Sequence, residues 1–140
     1  LSVEVRSPQD VTQRIEVIRR RDAYERRPDA FVTRHADEDA AIRAMILQAR
    51  AAIDDIESDD DILADCAELC LALGSDGLRG ELTLLRSARA LAASEGAAAI
   101  SRAHLRRVAP LALSHRLRRD PLDEAGSATR VSRTVDSVLA

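Results

Sequence analysis

The amino-acid sequence predicts an all-α helical bundle preceded by one orphan β-strand. Three observations carry this reading. Alanine fills 25 of the 140 positions and, with leucine and arginine, favours helix. Apolar residues recur at three- and four-residue spacing through most of the chain. Serine, aspartate, proline and glycine stand where helices should start and stop. Apolar residues make up 46% of the chain, enough for a core. Aromatics are 1%, with Tyr24 and Phe31 alone, so that core must be leucine, isoleucine, valine and alanine.

Residues 1–5, LSVEV, alternate apolar and polar and read as a strand. No second strand follows, and an isolated strand is not stable. Residues 1–6 are therefore expected to be the last strand of a sheet-containing domain, which makes the chain the C-terminal part of a longer protein. Next, Ser7 can cap a helix, Pro8 fits its first position and Asp10 its acid-favoured first turn. The helix should reach about Arg27 and stop before Pro28. Its Arg14, Arg19, Arg20, Arg21, Arg26 and Arg27 form a basic surface, read as solvated. Residues 29–53 form a second helical stretch, with a break expected near His35. Ile42, Met45, Ile46, Ala49 and Ile53 share one face.

The run DDIESDDD, residues 54–61, holds six carboxylates. It has no Gly or Asn at the spacing of a cation-binding loop, so it reads as a solvated connection whose last three aspartates start the next helix. Residues 61–73 carry Ile62, Cys66, Leu69, Cys70 and Leu73 on one stripe, closed by Gly74. Cys66 and Cys70 lack further ligands at fitting spacing, which leaves them as small buried residues in a reducing compartment and gives no metal site. Asp76 can cap a helix over roughly 78–94, closed by Gly96. Ser101 caps a fifth, expected to run to about Arg118 with Leu105, Val108 and Leu117 inward; Pro110 should bend or split it. After RDPLDEAG, Ser127 opens a last helix carrying Val131, Val135, Val138 and Leu139.

Net charge is −3, which argues against a general nucleic-acid binder. No run of 18 apolar residues could span a membrane, and no signal peptide is visible, so a cytoplasmic location is expected. All 21 basic residues are arginine. A phosphate-binding loop of the G-x-x-x-x-G-K-[ST] kind needs its lysine, so this chain contains none and should not hydrolyse ATP alone.

One stretch breaks two local rules at once. In GLRGELTLLR, residues 77–86, Arg79 stands between Gly77 and Gly80 at the expected start of a helix. Glycine disfavours helix, and a cation there meets the positive end of the dipole. A helical wheel puts Leu78, Leu82, Leu85, Ala88, Leu91 and Ala92 inward, with Arg79, Thr83 and Arg86 on a narrow outer stripe. A guanidinium beside free first-turn N–H groups makes an anion-facing end, and flanking glycines would let a large ligand approach. An ordinary surface arginine, or one paired to Asp76, fits the spacing equally well.

GSDGLRGELTLLRSARALA followed by LALSHRLRRDPLDEAG resembles the C-terminal helical lid of the ATPase I subunit of magnesium chelatase, a AAA+ ATPase family of chlorophyll and bacteriochlorophyll biosynthesis. LSVEVRSPQDVTQRIEVIRRR and the final helix share the likeness; residues 34–61 match only loosely. The resemblance implies a division into 1–6 as the last strand of the AAA+ core, 7–57 as a helical insertion or linker, and 58–140 as the lid. It implies that the core, with its Walker motifs, precedes Leu1 and binds most of the ATP and Mg²⁺, with an arginine finger just upstream of Leu1. Arg79 matches the sensor 2 arginine, which reaches the γ-phosphate and is expected to serve a neighbouring subunit. Arg86, Arg116 and Arg119 are nucleotide or interface candidates, and His115, Arg118 and Asp120 would make interface or interdomain contacts.

The implied partners are further copies in a ring, expected to be a hexamer, a D subunit forming a second ring layer, and the porphyrin-holding H subunit. ATP hydrolysis would then power insertion of Mg²⁺ into protoporphyrin IX. Alternatives are the lid of the related D subunit or of a MoxR-type chaperone ATPase; a helical DNA-binding module is less favoured. His35 and His104 read as ordinary surface or packing residues.

Overall fold

The computed structural model describes residues 1–3, 5–75, 77–117 and 126–140. Six α-helices are present among them: α1 (Val11–Arg26), α2 (Pro28–Ala52), α3 (Asp60–Ala72), α4 (Arg79–Ser94), α5 (Arg102–Leu113) and α6 (Gly126–Val138). Short 3₁₀ turns, Ile53–Asp55 and Ser114–Arg116, follow α2 and α5. The predicted all-α class is observed. The contacts divide the chain into two compact units, Glu4–Ile46 and Leu1–Val3 with Leu47–Ala140.

The orphan strand does not form. Residues 1–3 and 5 are irregular, and the side chains of Leu1 and Val3 lie in solvent. The Ser2 N–H instead donates to the Leu111 carbonyl at 2.8 Å, one of the last four carbonyls of α5 that no residue of the helix can satisfy.

In the unit Glu4–Ile46, α1 is capped by Asp10, whose carboxylate accepts from the Gln13 N–H at 2.9 Å. The predicted cap, Ser7, stands three residues too early. Pro28 occupies the first position of α2, where its missing N–H costs nothing. α2 runs on through His35 without the expected break; the Phe31 and His35 rings, one turn apart, lie 4.6 Å centroid to centroid. Tyr24 meets Phe31 edge-on at 5.8 Å. Ile42, Met45 and Ile46 are exposed, contrary to the expected apolar face.

In the second unit, Ala49 and Ile53 pack against the core. Asp59 caps α3, accepting from the Ile62 N–H at 2.9 Å, and Asp60 and Asp61 fill the first turn as expected. Gly74 and Gly96 have φ of 67° and 69°. Each closes its helix with the paired bonds of a left-handed C-cap: Ser75 N–H to Cys70 O and Gly74 N–H to Leu71 O, then Ala97 N–H to Ala92 O and Gly96 N–H to Ala93 O. Ser101 caps α5, and the box is closed by the His104 ring, whose Nδ1 accepts the Ser101 N–H at 3.0 Å. Pro110 does not split α5. The helix passes through it, stops at Leu113 and tightens into the 3₁₀ turn, short of the expected Arg118.

Leu69, Leu84, Leu105, Leu113 and Val131 are among the largest fully buried side chains, and Ala88 and Ala92 of α4 and Ala109 and Ala112 of α5 have no exposed surface. α5 packs on both α4 and α6, and α3 on α4. Val131, Val135 and Leu139 line the buried face of the last helix as predicted.

The candidate nucleotide-facing end of α4

α4 begins at Arg79, with Leu78 as the cap residue. Leu78 has no side-chain oxygen, so the free N–H groups of the first turn receive no side-chain cap. Asp76, the expected cap, lies outside the described residues. Gly77, at φ 70°, turns the backbone into this start, in a conformation that side chains other than glycine rarely adopt.

The helix is rotated relative to the wheel read from its leucines. Gly80, Leu84, Ala88, Ala92 and Ala93 are buried, whereas Leu78 is 74% exposed and Leu82 47%. Gly80 decides this rotation. A Cβ built there would stand 2.6 Å from Ser75 Oγ and 3.1 Å from Cys70 Sγ, so the glycine lets α4 close on α3. It serves packing between helices and not the approach of a ligand.

With that face buried, Arg79 is exposed, and among the described residues its guanidinium makes no ion pair or hydrogen bond. Thr83 Oγ1 donates to the Arg79 carbonyl at 2.7 Å, holding the backbone of the first turn. Glu81, the nearest carboxylate on the helix, is turned the other way. It is partly buried, and its charge adds to the burial that pushes the Cys70 thiol up to about 12 and, behind burial and Asp65, the Cys66 thiol up to about 11. The thiols are protonated and sequestered, as the sequence reading of them required. The arrangement leaves an exposed guanidinium, unpaired among the described residues, beside first-turn N–H groups that Leu78 does not cap, a combination that attracts an anion.

Arg86 is exposed on the same side of α4, two turns on, about 10 Å further along the axis. Arg116 is not on this helix. It ends the 3₁₀ turn that packs on α5 and α6, half-buried, with a buried Nε that finds no acceptor among the described residues. Arg118, Arg119 and Asp120 lie outside the described residues.

Two polar ties that the sequence reading passed over hold α4 and α5 in place. Arg102 grips the buried Asp65 carboxylate with Nε at 2.7 Å and Nη2 at 3.0 Å, joining α5 to α3. Glu95, at the end of α4, accepts from Arg107 and contacts His104 Nε2 at 3.1 Å. Arg107 holds the Glu95 carboxyl below its ordinary value. His104 is thus buried and bonded on both ring nitrogens, more than a plain packing residue. The signal was present as S-x-x-H at a helix start, where Glu or Gln usually completes the box.

The AAA lid domain family matches residues 63–135, the span from α3 through α6. The chain belongs to that family. Among curated proteins this AAA lid is 64% identical over 139 residues to the magnesium-chelatase 38 kDa subunit of Rhodobacter capsulatus, covering 99% of the chain and 40% of that protein. It is 50% identical over 140 residues to the subunit of the same name from Acidiphilium rubrum, covering 100% and 41%. The magnesium-chelatase subunit ChlI of Anabaena variabilis is 30% identical over 133 residues, covering 95% and 39%. The chain spans about two fifths of the length of the magnesium-chelatase relatives it matches.

Proposed function

We propose that this lid belongs to the ATP-hydrolysing I subunit of a magnesium chelatase and that Arg79 is its sensor 2 arginine. The observation that carries the reading is the placement of Arg79: the first residue of a packed helix, exposed, and free of any partner among the described residues. The likeness to magnesium-chelatase subunits over 99% of the chain supports the rest. Residues 58–140 form the lid proper in this reading, and 7–57 a helical insertion.

The residues at the end of α4 fit a phosphate group. Arginine's planar fork can hold two phosphate oxygens at once, which lysine cannot do. The open N–H groups of the first turn add a positive dipole end. When bound, ATP with Mg²⁺ supplies the phosphoryl group, and the nucleotide-binding core holds most of it. Arg79 contributes charge and orientation at the γ-phosphate, the main means by which phosphoryl transfer is catalysed. Because α4 packs on α3 and α5, the backbone that carries Arg79 moves only as the lid moves. Nucleotide state and subunit arrangement are thereby coupled in a ring of like copies, which works with the D and H subunits to insert Mg²⁺ into protoporphyrin IX.

The test is Arg79→Ala in the full-length protein, measured by nucleotide binding and by ATP turnover. Binding should persist while hydrolysis drops by on the order of 10²–10³, the usual loss of one transition-state donor. Arg86→Ala, about 10 Å away along α4, should cost far less. Near-normal turnover in Arg79→Ala overturns the assignment.

A further inference from the structure

The hairpin where α1 turns into α2 concentrates positive charge, although the unit Glu4–Ile46 as a whole holds nine arginines and nine carboxylates. Residues 11–34 hold seven arginines against four carboxylates. Three arginines are matched: Arg20 to Glu16 at 2.8 Å, Arg21 to Glu25 at 2.6 Å and Arg26 to Asp22 at 3.3 Å. Arg14 donates to the Pro8 carbonyl at 2.8 Å. Arg19, Arg27 and Arg34 have no ion-pair or hydrogen-bond partner among the described residues.

These three surround one feature. An open cleft of about 500 Å³ has Ala23 and Phe31 in its lining, with Arg27 and Arg34 beside them. A continuing groove of about 330 Å³ shares Ala23, Phe31 and Arg34 and adds Arg19. In each, three arginines stand against one carboxylate, Asp22 or Glu16, and the excess of guanidinium suits an acidic peptide segment.

The same chain offers such a segment. Asp54, Asp55, Glu57, Asp59, Asp60 and Asp61 are all exposed, and none is in an ion pair among the described residues. Within the run, Ile56 is the apolar residue, already packed in the core, so the contact there is by charge.

We propose that the basic cleft of the hairpin, around Arg19, Arg27 and Arg34, docks on the acidic run 54–61 of a second copy of this chain. The two surfaces are different, so the contact is head-to-tail, and repeated head-to-tail contacts close into rings or extend into filaments. The contact assigns residues to the self-association in the proposed function but does not rest on the role of Arg79. It weakens with salt, because both surfaces are exposed.

The test uses the full-length protein. Arg19→Glu with Arg27→Glu and Arg34→Glu should weaken self-association about tenfold or more, the worth of a few exposed charge pairs. Circular dichroism checks that the helices persist. Adding Asp54→Arg, Asp55→Arg and Glu57→Arg to the same chain should restore association, which a folding defect could not do. Copies carrying only Arg27→Cys, mixed with copies carrying only Asp55→Cys, should form a disulfide-linked heterodimer; Cys66 and Cys70 are buried and stay silent.

Association unchanged by the hairpin reversal, or absence of the mixed crosslink, overturns the proposal and leaves the Arg79 reading standing. A reversal that weakens association without rescue by the acidic-run reversal also overturns it, since the hairpin then meets some other partner.

Discussion

Gly80 faces Cys70 across the seam between α3 and α4, and a Cβ at position 80 would stand 3.1 Å from the Cys70 sulfur. Alanine is preferred to glycine in a helix by about 1 kcal/mol. Overpacking a closed seam costs about 1–3 kcal/mol. Ser75 Oγ, at 2.6 Å, sits on a short side chain that can rotate away, but Cys70 is wholly buried and cannot. Gly80→Ala should therefore lose about 1 kcal/mol in denaturant unfolding, the crowding outweighing the propensity. Unchanged or raised stability would show that the seam is looser than described.

Arg102→Ala should destabilise the lid clearly, because it leaves the Asp65 carboxylate buried and without its cation. Arg102→Leu combined with Asp65→Leu should recover much of the loss, since no buried charge remains. Thermal melts of both variants decide it. A double variant as unstable as the single one would mean that the pair contributes more than charge compensation.

The thiols give a reactivity prediction. Burial raises Cys66 to about 11 and Cys70 to about 12 from an ordinary 9.0. The folded state therefore favours the neutral thiols. Their contribution to stability is complete below pH 9 and is lost as pH rises through the folded values. At pH 8 the native protein should react with an aromatic disulfide reagent about 100-fold more slowly than the unfolded chain, since only the thiolate attacks. Fast labelling of the native protein would contradict this.

Glu95 is one of the groups sensitive to acid pH. Arg107, with help from His104, keeps its carboxyl below the ordinary 4.5. Its stabilising contribution is thus complete above 4.5 and disappears as pH falls through the lower folded value. Glu95→Gln should be less stable than the parent at pH 7, with the gap closing as pH falls through the lowered folded value, followed by urea unfolding across pH. A gap independent of pH would assign the loss to packing alone.

Much of the fold could be read from local chemistry. Gly74, Gly96, Ser101 and Asp59 mark helix ends whose bonding depends on the residue itself, and all four behave as their side chains dictate. The α4 wheel held for Leu85, Ala88, Leu91 and Ala92 but not for Leu78 and Leu82, and for a different reason. Periodicity counts leucines as inward, but burial here follows the closest backbone approach, which Gly80, Ala88 and Ala92 permit and Leu78 and Leu82 do not. Long-range pairs such as Arg102 with Asp65, 37 residues apart, leave no trace in spacing. The exposed place of Arg79 was more legible, because the residue breaks local rules at a helix start. That its neighbour Gly80 faces inward was not.

Ala88 and Ala92 on α4 and Ala109 and Ala112 on α5, none with exposed surface, carry one more implication. Alanine has no side-chain torsions, so two helices joined through it have nothing to rearrange when force is applied. A push at one end of such a joint arrives at the other undiminished, as through a rod and not a cushion. Lengthening these side chains would add slack to the lever before it removed the fold.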